Sequence, residues 1–155
     1  MIDASIKAFP RAFDWVWLAC DRDDGLAAFV TAGAGPIPTA VLDSNLPVED
    51  GEALICSLAA TTGARSLLSK GDVTSFMALA QRGVFVYDWQ NVHRLAVACT
   101  SVYELVAAPD TPVRCDSFPD ELAKISRIVR LDKVSFADEK AIDIRLHTEC
   151  LADYQ

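Results

Sequence analysis

A chain of 155 residues, 52% apolar, 23% charged and carrying a formal charge of −8, is long enough for one folded domain spanning 1–155 and too apolar to be disordered. The negative charge, with no cluster of Lys and Arg to offset it, disfavours nucleic acid as a direct ligand. No apolar run approaches the roughly 18–20 residues of a membrane-spanning helix, and MIDASIKAFPRAFDW lacks the apolar stretch of a secretory leader, so a cytoplasmic location is expected.

In chain order, FDWVWLAC (13–20) has two apolar faces, Trp15, Trp17 and Ala19 on one and Val16, Leu18 and Cys20 on the other. That is the pattern of a central strand covered on both sides. DRDDG then supplies turn chemistry before LAAFVT (26–31), which predicts a hairpin. AGAGPIP favours an extended loop because of Pro36 and Pro38, and a short strand is expected at 39–42. LPVEDGEALICSLAATTG predicts a helix over 47–60, with proline and acids in its first turn and Gly51 as a weak point.

A second helix is read from Asp72 as cap, a stripe of Val73, Phe76, Met77 and Ala80, and Gly83 as stop. VFVYDW (84–89) and VYELVAA (102–108) read as strands, the first with Phe85, Tyr87 and Trp89 on one face and Val84, Val86 and Asp88 on the other. DELAKISRIVRL fits either one helix or a helical turn leading into a strand, and the tail alternates at Ile142, Ile144 and Leu146. These elements compose an α+β fold, a mixed and mainly antiparallel sheet of about six strands with two or three helices packed on it.

The chemistry-bearing residues are few. Asp21, Asp23 and Gly25 share the opening of a calcium loop, but the EF-hand pattern needs its glycine sixth and a Glu twelfth, where this chain has Gly25 fifth and Ala32 twelfth. TAGAGPIP opens no helix, so a phosphate cradle is not expected. Five dispersed cysteines, Cys20, Cys56, Cys99, Cys115 and Cys150, contain no CxxC pair; they read as small buried hydrophobes in a reducing compartment, with Cys20 and Cys56 the best fits, and not as a disulfide framework. With the two histidines, His93 and His147, 54 residues apart, no metal or cofactor is expected.

His93, just past a strand end, is the strongest catalytic candidate, with Asp88 to orient it and Cys99 or Tyr87 as partners. A structural histidine is the simpler reading, and the aromatic face is simplest as core. The only feature organised over a long stretch is charge: Asp23 to Ala64 contains no Lys or Arg, while Asp23, Asp24, Asp43, Glu49, Asp50 and Glu52 all fall there. Such a field steers a basic protein partner.

DWVWLACDRDDGLAAFVTAGAGPIP, together with RGVFVYDWQNVHR and YELVAAP, resembles small bacterial immunity proteins that partner polymorphic or type VI secreted toxins. The resemblance implies a cytosolic, non-enzymatic binding module that neutralises its toxin by occlusion, and it brings no catalytic residues. The contact residues expected are Asp21, Asp23, Asp24, Glu49, Asp50, Glu52, Asp88, Trp89 and His93; the rival expectation is an enzyme or small-molecule binder using His93 with Asp88.

Overall fold

The computed structural model describes residues 15–89 and 101–151. β1 (Val16–Asp21) and β2 (Leu26–Val30) form the expected antiparallel hairpin, with Trp17 opposite Phe29, and every residue of both strands is buried. β2 continues into a parallel pairing with β5 (Phe85–Trp89), and β5 pairs antiparallel with β6 (Tyr103–Pro109) across an irregularity at Val86/Tyr87. The far edge of β6 is shared by β4 (Ala64–Ser66) at one end and β8 (Ala141–Ile142) at the other, while β7 (Arg130–Leu131) runs parallel to β1 at the opposite edge. The result is a mixed, mostly antiparallel seven-stranded sheet, in keeping with the α+β expectation. A separate two-stranded ribbon joins β3 (Ile37–Pro38) to β9 (Cys150–Leu151).

Register explains the core. Because Trp17, Phe29 and Tyr87 sit opposite one another on β1, β2 and β5, their rings stack in a row, with centroids 4.2 and 5.2 Å apart and planes within 8° and 12°. Tyr103 meets Trp17 and Phe29 edge-on, and Phe136 closes the other side. Each such pair contributes about 0.5–1.5 kcal/mol beyond simple burial. The opposite face takes the helices: Gly51 of α2 (Gly51–Cys56) rests on Leu18, α3 (Thr74–Ala80) packs on β5 and β6, and α4 (Asp120–Ser126) packs on β1 and α2.

Several local expectations change. Residues 39–42, expected as a strand, form the single helical turn α1 (Thr39–Leu42): extended backbone ends at Pro38, and Asp43 N–H then donates to Thr39 O at 2.8 Å. The helix expected over 47–60 is shorter and split into a 3-10 turn at Val48–Asp50 followed by α2, beyond which the Ser57 hydroxyl donates to Leu54 O at 2.6 Å. The Asp72 carboxylate accepts from Thr74 N–H at 2.9 Å at the entry to α3, and Gly83, with φ of 88°, ends the segment as expected. In the ambiguous tail a helix comes first and only two residues of strand follow. The alternation at 142–146 breaks where a 3-10 turn at Ile144–Leu146 buries Ile144 and leaves Leu146 80% exposed. No alternation in the sequence marks the three residues of β4.

Candidate functional site

The DRDDG turn is a structural knot. Asp21, only 2% exposed, accepts from Asp23 N–H (3.0 Å) and Gly25 N–H (2.7 Å) through Oδ1, and from Phe136 N–H (2.7 Å) through Oδ2. Its carboxylate closes the hairpin and ties the 131–136 loop to the end of β1. Asp23 is exposed, accepts from the Ser135 hydroxyl at 2.8 Å, and lies 4.0 Å from Arg22 Nε. Asp24, in a left-handed conformation with φ of 61°, stands between Arg114 and Arg130, each 3.8 Å from a carboxylate oxygen. Arginines thus offset much of the turn's negative charge.

Beneath the turn the fold joins Cys20 and Cys115 in a disulfide across 95 residues, with both sulfurs fully buried. This corrects the expectation that the cysteines form no disulfide and that Cys20 is a small buried hydrophobe: dispersed spacing hides a pair that tertiary structure brings together. Cys115 N–H donates to Asp24 O at 2.7 Å, and Gly25 bridges to Arg114. Cys56, expected to be buried, is exposed on α2. Burial pushes the Cys150 thiol up to about 12 and, with Glu52 beside it, raises that of Cys56. Among the described residues one group, Cys20, Asp24 and Cys115, places three potential metal-ligand atoms within 4.8 Å of one another.

The remaining acids form a different surface. Asp43, Glu49, Asp50 and Glu52 are all exposed, the last three at the start of α2. At the other end of that helix, six residues or about 9 Å away, an apolar cavity of about 230 Å³ is walled by Leu58, Ala59, Val113, Phe118 and Pro119. Arg82 forms one side, fixed because its Nε donates to Leu58 O (2.8 Å) and its Nη1 to Ala78 O (2.6 Å). Glu52 and Cys56 are four residues apart on one face of α2, and both Glu52 and Arg82 act on the Cys56 thiol. The acidic start of α2 and the cavity thus flank the two ends of the same short helix. The cavity is smaller than the roughly 300 Å³ at which small-molecule sites begin, and it suits one inserted side chain. No motif in the sequence signals it, because its walls come from three separate connections.

A second cavity, about 190 Å³, lies by β7 and is lined by Arg130, Lys133, Leu146 and His147. RGVFVYDWQNVHR divides: its strand is β5, with Tyr87 fully buried, Asp88 4% and Trp89 7% exposed. Tyr87 Oη donates to Glu139 O at 2.5 Å, and burial raises the pKa of its phenol. His93 and Cys99 lie outside the described residues. Gly35 of TAGAGPIP sits where a Cβ would come within 2.5 Å of Tyr103 Oη, and that hydroxyl donates to Pro36 O at 2.8 Å, so the loop is shaped by packing.

Comparison with protein-family models, with curated proteins and with solved structures found no match to this chain.

Proposed function

We propose that this chain is a protein-binding module, an immunity protein that neutralises a basic toxin domain in the cytoplasm by covering its active site, and that it is not an enzyme. The observation that carries this reading is the exposed acidic start of α2, Glu49, Asp50 and Glu52, about one helix length from a cavity sized for one apolar side chain. Carboxylates at the rim raise the association rate with a basic partner, and a desolvated anchor at the centre slows its release. No helix among the described residues is long and apolar enough to cross a membrane.

The contact set differs from the one expected from sequence. Asp21, Asp88 and Trp89 are buried and leave it; Asp23 and Asp24 sit among arginines and contribute less. Glu49, Asp50 and Glu52 remain, joined by the cavity residues. Co-expression with the product of the neighbouring reading frame tests the proposal. A one-to-one complex is expected, and Ala59→Trp, which fills the cavity from an exposed position, should weaken it at least about tenfold by removing an anchor worth ~1.4 kcal/mol or more. A complex of unchanged affinity in that variant would place the interface elsewhere.

A further inference from the structure

We propose that Cys20, Cys115 and Asp24 form, in the reduced protein, a site for a soft divalent cation, best matched by zinc, and that the disulfide is the oxidised form of the same donor pair. A disulfide is uncommon in the reducing compartment proposed above, where thiols stay reduced, so a use for the reduced pair is called for. Two thiolates and a carboxylate within 4.8 Å of one another suit a tetrahedral ion. Thiolates about 2.3 Å from zinc stand roughly 3.8 Å apart, so the pair must part on reduction to admit the ion. Soft sulfur donors select zinc over calcium or magnesium.

Backbone hydrogen bonds also hold the segments that carry the donors. Cys20 lies in β1 next to its final residue, Asp21, and its N–H donates to Val129 O at 3.0 Å; Cys115 N–H donates to Asp24 O at 2.7 Å; the Gly25–Arg114 bridge ties the two loops together. The site's residual negative charge also has cationic neighbours. Two thiolates, one carboxylate and a dication leave one negative charge, and Arg114 and Arg130 face Asp24 at 3.8 Å, which removes the penalty of burying it unpaired. Ser126 Oγ, 3.7 Å from Cys20 Sγ, or a water supplies the fourth position. The exchange balances: a small-molecule thiol, two molecules per protein, reduces the disulfide to two thiols and is itself oxidised to its disulfide. Zinc then displaces the two thiol protons to solvent.

The test uses the full chain, reduced with a phosphine, freed of reductant and titrated with Co²⁺ and then Zn²⁺. One equivalent of cobalt should produce thiolate-to-metal absorption and the visible bands of a tetrahedral ion, and zinc should abolish both. The oxidised protein should give neither. Asp24→Asn, which keeps both sulfurs, should weaken zinc binding roughly tenfold or more. The Cys20→Ser/Cys115→Ser variant should lose the absorption, with circular dichroism reporting its fold. Absence of thiolate absorption in the reduced wild type, or equal absorption in the double variant, would overturn the proposal.

Discussion

Asp21 shows how one residue changes meaning between sequence and structure. In DRDDG it is one acid among three; in the fold it alone is buried, and it accepts from three backbone N–H groups. Asp21→Ala strips buried donors of their partner and should cost about 3 kcal/mol, read as a lower midpoint in urea unfolding. A loss below roughly 0.5 kcal/mol, the range of ordinary surface substitutions, would contradict that role. Titration gives a second check. The folded Cys150 thiol is raised from 9.0 to about 12 and the Tyr87 phenol is raised above its ordinary value. Both are acids held in their neutral form, so their stabilisation is complete below the unfolded values and is lost as pH rises. Stability should therefore fall from about pH 9 upward, and a flat unfolding midpoint between pH 8 and pH 11 would exclude the effect.

Among the elements, those with strong local patterns were readable. Two-sided apolar strands at β1 and β2, the alternating aromatics of β5 and the stop at Gly83 need only local chemistry to specify them. Short elements were not readable. Two-residue strands such as β7 and β8 carry no period, and α1 is a single turn whose β-branched residues resemble a strand. Gly83→Ala tests a legible position: with φ of 88°, and a Cβ that would meet the Val113 backbone nitrogen at 2.9 Å, it should lose about 1–3 kcal/mol. Thermal unfolding would show this as a lowered midpoint; an unchanged one would mean the turn relaxes freely.

Across the whole molecule, the candidate surface was half legible. The acids of 49–52 stand out because no Lys or Arg falls between Asp23 and Ala64, but sequence could not divide them from Asp24, whose arginine partners, Arg114 and Arg130, lie ninety or more residues away. Nor could it show the Cys20–Cys115 pairing or a cavity assembled from three connections. If α2 carries recognition, long-range charge must appear in binding. The most direct measurement is the dissociation constant of the complex with the neighbouring frame's product, across a range of salt, for wild type and Glu49→Lys/Asp50→Lys/Glu52→Lys. Wild-type affinity should fall as salt screens the surface, and the variant should bind at least about tenfold more weakly with a shallower salt dependence. Equal affinity and equal salt dependence in the two proteins would show that α2 does not meet the partner.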